Sequence, residues 1–331
     1  MKEILYRLAA HELLSRDEAC EVLLNVADGK YNDCQLAAFM MAYQMRSITS
    51  EELAGFRDAI LKRRNPVNVD ATDAIDIVGT GGDGKNTFNI STAACFVVAG
   101  AGYRVVKHGN YSATSVSGAS TVLSGLGAVF QQDSDKLQRS LDEAGISYFH
   151  APFFSPALKS VANARRLIGV RSFFNLLGPL VNPVKPDYQL LGVYNLPMLR
   201  LYNYVAQEGG KHCSCVTSFD GYDEISLTSP FKIANEYGEK IFTPESLSLP
   251  TYKQSELSGG NTPDEARAIF LNVLDGTATE AQTNVVLVNA AFAILTLRPA
   301  LDFATAFAQA KESLLSGKAK GALKKFLEIN A

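Results

Sequence analysis

The stretch AIDIVGTGGDGKNTFNIST, Ala74 to Thr92, decides how the chain folds. Its first five residues form a short apolar run with β-branched members, which predicts a buried strand. GTGGDG (79–84) follows without a spacer, and Asn89-Ile90-Ser91-Thr92 then offers short polar side chains where a helix begins. Working outward, YRVVK (103–107), ISYFH (146–150), YQLLGVY (188–194) and HCSCVTS (212–218) repeat the strand pattern. Helical patterns with caps and glycine stops, such as Ser134 to Gly145, lie between most of them. That alternation predicts an α/β domain with a largely parallel central sheet flanked by helices.

The first 65 residues carry a different period and predict helices alone. Ser15 caps a helix that stops near Gly29, and Asn32 caps a second through Met40, Met41 and Met45. Thr49 and Glu52 form a capping box ahead of Leu53, Phe56, Ile60 and Leu61, with Pro66 as the stop. The Met-rich face reads as core or helix-partner packing more readily than as a cofactor pocket. Thr262-Pro263-Asp264-Glu265 is read as another capping box, opening helical material that runs to the end. Lys318, Lys320, Lys324 and Lys325 read as a solvated helix face.

The chain's 331 residues suggest two domains at roughly 100–200 residues each. Its 31 Lys+Arg against 34 Asp+Glu argue against bulk attraction to nucleic acid, and the absence of Trp removes one favoured base-stacking side chain. Five scattered cysteines do not form a secreted disulfide framework, so a reducing, cytoplasmic setting is expected. Cys213, Cys215 and His212 allow a thin metal reading, against buried structural cysteines as the commoner one. The N-terminal apolar stretch is charged throughout, unlike a signal peptide, and Val285 to Leu297 is too short to span a bilayer, so no membrane is expected.

Two readings fit the glycine loop. Gly79, Gly81 and Gly84 match the dinucleotide spacing, but the acidic residue that should follow about 20 positions later is missing; Arg104 and Lys107 stand there instead. After Asp83 no Asp or Glu occurs until Asp133, while Lys85, Arg104, Lys107 and His108 do. Glycine amides and a helix N-terminus suit a phosphate polyanion, and Lys107 adds a full charge. Plain glycine turns in an α/β sheet are the alternative. DGYDEIS (220–226) sets Asp223 beside Glu224 after a strand, a carboxylate pair suited to magnesium next to phosphate or, taken alone, an exposed acidic loop. NARRLIGVRSFFNLLGPLVNP (163–183) holds Arg165, Arg166 and Arg171, any of which can grip a carboxylate, with surface pairing as the alternative for Arg166 and Arg171.

Taken in order, GTGGDGKNTFNIST, KHGN (107–110), the FNLLGPLVNP segment and DGYDEIS closely resemble the anthranilate phosphoribosyltransferase family across nearly the whole chain. The resemblance implies a small all-helical domain, 1–68 joined by about 165–185, and a larger α/β domain, 73–331 apart from that excursion. It implies transfer of phosphoribosyl from phosphoribosyl pyrophosphate to anthranilate, in tryptophan biosynthesis, at the hinge between domains. Gly79, Gly82, Asp83, Thr87, Asn89, Ser91, Thr92 and Lys107 would hold phosphoribosyl pyrophosphate, with Lys107 acting electrostatically. Asp223 and Glu224, helped by Ser91, would bind Mg2+. Gly79, Asn110 and Arg165 would contact anthranilate, and the helical domain would form a homodimer. No general base is assigned, because the aromatic amine is already unprotonated at neutral pH; His108 is given none of that work.

The chain departs from the family after KHGN, where Tyr111, Val116 and Thr121 replace an Arg, a basic residue and an Asp. Two missing positive charges would weaken the hold on pyrophosphate unless backbone groups or Lys85 compensate. A pyrimidine nucleoside phosphorylase-like enzyme is the alternative reading, but it would carry a further C-terminal domain and need no magnesium carboxylates. A non-enzymatic nucleic-acid-binding relative would show a basic surface or lose the glycine loop and carboxylates.

Overall fold

The computed structural model describes residues 1–112 and 116–331, and it divides the chain into two compact units. One unit joins Met1–Pro66 to Ala151–Pro183; the other joins Val67–His150 to Val184–Ala331.

The first unit is built on helices Lys2–Ala9, Arg16–Ala27, Asp33–Met45 and Ser50–Lys62. Ser15, Asn32 and Thr49 cap the last three, each in a reciprocal box that satisfies two otherwise orphaned amides. Phe39, Tyr43 and Phe56 form an aromatic core, and Phe173 from the later segment stacks on Phe56 at 4.6 Å. Burying that ring is what holds the excursion in the helical unit. Two short helices, Ala162–Ile168 and Phe174–Leu177, shape the excursion itself. Of the Met-rich face, Met40 is buried, whereas Met41 and Met45 are 39% and 81% exposed.

The second unit carries a seven-stranded sheet: β1 (Ala74–Gly79), β2 (Arg104–Gly109), β3 (Ile146–His150), β4 (Tyr188–Gly192), β5 (His212–Ser218), β6 (Phe231–Asn235) and β7 (Gly238–Phe242). The order is β3-β2-β1-β4-β5-β6-β7. The first five strands are parallel, and the β6–β7 hairpin adds an antiparallel edge. The five parallel strands fall on the expected segments. The hairpin was not among them: Phe231, Ile233 and Ala234 of β6 are buried, but Lys232, Glu236, Glu239 and Lys240 interrupt the apolar run of FKIANEYGEKIF, and β7 is an exposed edge. Its turn closes through the Asn235 side chain, which accepts the Tyr237 amide at 3.0 Å, and Lys232 pairs with Glu239 across the two strands.

Helices Ile90–Gly100 and Glu280–Leu297 pack on one another as the apolar centre of this unit. Glu280–Leu297 is long and apolar enough to cross a membrane, yet most of it is buried against neighbouring elements. One expected cap differs. Thr262 accepts the Glu265 amide, but the Glu265 carboxylate takes the Asn261 amide at 2.7 Å instead of Thr262's own. Gly260, at φ 81°, immediately precedes Asn261, the residue whose amide takes the carboxylate. The lysine tail lies on an outer helix face and ion-pairs with Glu312, Asp275 and Glu143.

Candidate active site

The order of the sheet reverses direction at β1 and β4: β2 and β3 lie to one side, and β5 onward lies to the other. In open α/β sheets the crevice beyond the carboxyl ends of such strands receives ligands. Gly79 and Gly192 are register partners at those two ends. A Cβ on Gly192 would overlap the Asp223 carbonyl, and one on Gly79 would come within 2.9 Å of the Asp223 Cγ. The absence of both side chains lets the acidic loop lie directly across the strand ends.

The glycine loop and the acidic loop are then joined by hydrogen bonds. Gly81, with φ 65°, donates its amide to Asp223 Oδ2 at 2.6 Å. The Ser91 amide, in the first turn of Ile90–Gly100, donates to Glu224 Oε1 at 3.0 Å. Carboxylates are favoured at that position by the exposed amides of the helix start. Asn89 caps the same turn by accepting the Thr92 amide at 3.0 Å, and its Nδ2 donates to Ser117 O at 2.8 Å. Lys107 is 2% exposed; its Nζ donates to Ile77 O at 2.7 Å and lies 3.4 Å from Ser91 Oγ.

Three carboxyl groups crowd this place. Burial first, and the charge of Asp83 second, push Asp223 up to about 7. Asp83 is raised by burial, and Glu224 is raised well above the usual range by burial and by Asp223, with Lys107 opposing. A cation would remove the penalty on all three. The buried Oδ2 of Asp83 and Oγ1 of Thr80 have no hydrogen-bond partner among the described residues. Carboxylate and hydroxyl oxygens are the donors a hard cation takes. Among the described residues no group of three or more His, Cys, Asp or Glu side chains is placed to hold a metal ion. Magnesium takes only a few protein oxygens and keeps positions for water and phosphate.

The α/β unit thus gathers Gly79, Asp83, Asn89, Ser91, Lys107, Asp223 and Glu224, with Gly82 in the same loop. Thr87 takes part through its carbonyl, which accepts the Ser117 hydroxyl at 2.5 Å, and Thr92 is fully buried. Asn110 stands exposed just beyond β2, its Oδ1 accepting the Tyr111 amide at 2.8 Å. Arg165 belongs to the helical unit, where its Nη2 donates to Asn175 Oδ1 at 3.3 Å and burial pulls its pKa down. Arg166 donates to Asn163 at 2.8 Å and forms no ion pair among the described residues.

Other residues prove structural. Asp220 accepts Thr228, Ser229 and Gln254, so its oxygens close the acidic loop. Lys85 lies over the Tyr222 ring at 4.7 Å and donates to Gln254 at 3.2 Å. Arg104 sits at the far end of β2, paired with Asp142. The metal reading of Cys213, Cys215 and His212 does not stand. The two buried thiols are 3.7 Å apart on one face of β5, while alternation turns His212 to the other face, where it bonds to Glu236.

Two residues that hold the site escaped the sequence reading. Gly192 looked like one more glycine in a strand. Asn289, a lone amide in VVLVNAAFAIL, grips the main chain of Ile225 in the acidic loop. Its only signal was a polar residue in an otherwise apolar run.

Comparisons with known proteins identify the family. Residues 2–63 match the helical bundle domain of the glycosyl transferase family, and residues 71–320 match its α/β domain. The chain is 60% identical over 330 residues to an anthranilate phosphoribosyltransferase of Bacteroides fragilis, covering 100% of both. It is 47% identical over 330 residues to that of Flavobacterium johnsoniae, again covering 100% of both. Its fold matches the crystal structure of anthranilate phosphoribosyltransferase from Thermus thermophilus with TM-score 0.91, at 30% identity over 98% of each chain. The Saccharomyces cerevisiae enzyme in complex with PRPP and Mg matches with TM-score 0.90, at 26% identity over 98% of this chain and 96% of that one. With both portions matched and the full length shared, the chain belongs to the anthranilate phosphoribosyltransferases of the glycosyl transferase family.

Proposed function

We propose that this chain transfers the 5-phosphoribosyl group of phosphoribosyl pyrophosphate to the amine of anthranilate, releasing pyrophosphate, as a step toward tryptophan. One observation carries the reading to the residues. The Asp223 loop is drawn across Gly79 and Gly192 at the reversal of the sheet and tied to the glycine loop by the Gly81 amide.

Gly79, Gly82, Asp83, Thr87, Asn89, Ser91, Thr92 and Lys107 hold the phosphoribosyl pyrophosphate. The glycine loop lets phosphate oxygens approach the backbone closely, and the dipole of the helix that starts at Ile90 favours their negative charge. Asp223, Glu224 and the Ser91 hydroxyl would hold magnesium, which when bound neutralises charge on departing pyrophosphate. Lys107 adds a buried positive charge beneath the Ser91 hydroxyl, where it opposes the negative charge of the loop. Asn110 orients the acceptor amine, Gly79 leaves room beside it, and Arg165 takes the acceptor carboxylate. The C1–N bond forms as the C1–O bond to pyrophosphate breaks, and the nitrogen then gives up its proton to water or to the leaving group. Anthranilate's amine is unprotonated near neutral pH, so orientation replaces base catalysis.

The test is loss of anthranilate fluorescence on mixing with phosphoribosyl pyrophosphate. Loss that requires magnesium is the expected result, and folded protein that shows none overturns the reading. The same reading places the protein in the cytoplasm, where its free thiols stay reduced. It also makes the protein a homodimer through the helical unit, where Tyr6, Leu13, Met41 and Met45 expose apolar surface. Sedimentation at the monomer mass would remove the dimer.

A further inference from the structure

β3 ends in two polar residues on one face, Tyr148 and His150, and both are buried. Ser120, in the helix Ala119–Gly125, stands between them. Its Oγ lies 2.7 Å from the Tyr148 hydroxyl and 2.9 Å from His150 Nδ1. Burial pulls the His150 pKa down and so favours the neutral ring, and either tautomer completes the chain of hydrogen bonds.

This chain is attached to the loop that carries Asn110. The Ser120 amide donates to Asn110 O at 3.2 Å. The His150 ring stacks on Phe130 at 4.5 Å and meets Tyr111 edge-on at 5.3 Å. Tyr111 is 52% exposed, and its amide is bound by the Asn110 side chain. β2 and β3 run in register so that Gly109 pairs with His150, and a Cβ on Gly109 would come within 2.5 Å of the Tyr148 hydroxyl. Residues 109–111 therefore rest directly on the Tyr148–Ser120–His150 chain.

The transfer reaction gives none of these three side chains a chemical task. Apolar residues would fill the same space without the desolvation that three buried polar groups require. What the polar chain adds is a unique geometry, since each member is directional and satisfied by the next.

We propose that His150 is a positioning residue for the acceptor: with Ser120 and Tyr148 it fixes Tyr111, and through it the Asn110 side chain, in the orientation that receives the aromatic amine. The inference rests on the acceptor role of Asn110 given above.

The test compares His150→Phe, which keeps the stacked ring and removes Nδ1, with Ser120→Ala and Ser120→Thr. His150→Phe and Ser120→Ala should each raise the anthranilate KM roughly 5-fold or more, the worth of one buried hydrogen bond, while kcat and the phosphoribosyl pyrophosphate KM stay within about 2-fold. Ser120→Thr, which keeps the hydroxyl, should restore the wild-type KM. An unchanged anthranilate KM in folded His150→Phe, or a change confined to the phosphoribosyl pyrophosphate KM, overturns the proposal. A readout free of turnover separates this from failure of the transferase reading. In protein labelled with 3-fluorotyrosine, the 19F resonance that disappears in Tyr111→Phe should report one fixed environment in wild type and an averaged one in His150→Ala. The same resonance in both proteins also overturns the proposal.

Discussion

The side-chain amide of Asn289 grips both backbone groups of Ile225: its Oδ1 accepts the Ile225 amide at 3.1 Å and its Nδ2 donates to the Ile225 carbonyl at 2.9 Å. Ile225 follows Glu224 directly, and Asn289 is 3% exposed in the middle of the core helix. The core of the unit therefore sets where the carboxylates stand. Ser218 adds a second tie, donating its hydroxyl to Glu224 O at 2.7 Å. Asn289→Leu would leave a buried amide and carbonyl without partners, at about 1–3 kcal/mol each. The expected outcome is a lower melting temperature together with a higher magnesium requirement for turnover. A magnesium titration that superposes on wild type would show that the clamp does not position the loop.

Close approach at the strand ends makes a second prediction. Gly192→Ala would put a methyl group into the Asp223 carbonyl, and backbone cannot step aside as a flexible side chain can. Overpacking of this kind costs about 1–3 kcal/mol, and any shift that relieves it displaces Asp223. Turnover should fall by roughly 100-fold or more, since displacements near 1 Å are felt on that scale in catalysis. Kinetics at saturating substrates and magnesium check it; activity within 3-fold of wild type would refute the close-contact account.

Much of this was legible because local chemistry and global fold agree. Ser15, Asn32 and Thr49 announce their helices and cap them, and the five apolar runs become the five parallel strands. Asp223 and Glu224 were readable because adjacent acids after a strand are unusual beside an acid-free, glycine-rich segment. Gly192 and Asn289 were not readable, because their roles depend on contacts with residues 31 and 64 positions away, which no local period encodes. The β6–β7 hairpin was missed because its strands are short and interrupted by charged residues, and the outer one, β7, is an exposed edge with little apolar signal.

A pH effect is expected in the helical unit. Glu52 is 0% exposed; burial alone would raise its pKa, but hydrogen bonds from Arg46, Leu14 N and Thr49 N outweigh that and hold it below the usual carboxylate value. A depressed folded-state pKa gives stability that is present above the unfolded value of about 4.3 and lost as pH falls through the folded one. Thermal stability of wild type should therefore fall steeply below about pH 4.3. Glu52→Gln leaves the largely buried Arg46 without its anion, a loss of about 3–5 kcal/mol at neutral pH. The difference between the two proteins should shrink as pH drops, and a constant difference from pH 7 to pH 3 would remove Glu52 as its source.

Arg165 offers the sharpest separation of the two substrates. Its guanidinium is steadied by Asn175 Oδ1 at 3.3 Å and by the Phe174 ring at 6.0 Å. Partial burial disfavours an unpaired charge there, so an incoming carboxylate gains more than it would from an exposed arginine. Charge-assisted hydrogen bonds contribute about 1.5–3 kcal/mol, which translates to roughly 10- to 150-fold in affinity. Arg165→Ala should raise the anthranilate KM within that range and leave the phosphoribosyl pyrophosphate KM within about 3-fold. Arg165→Lys keeps the charge but lacks the planar fork, so it should recover only part of the loss. An aniline lacking the carboxylate should be used equally poorly by wild type and variant, because the lost contact is one it never makes. If only the phosphoribosyl pyrophosphate KM rises, Arg165 binds the other substrate and the acceptor carboxylate is held elsewhere.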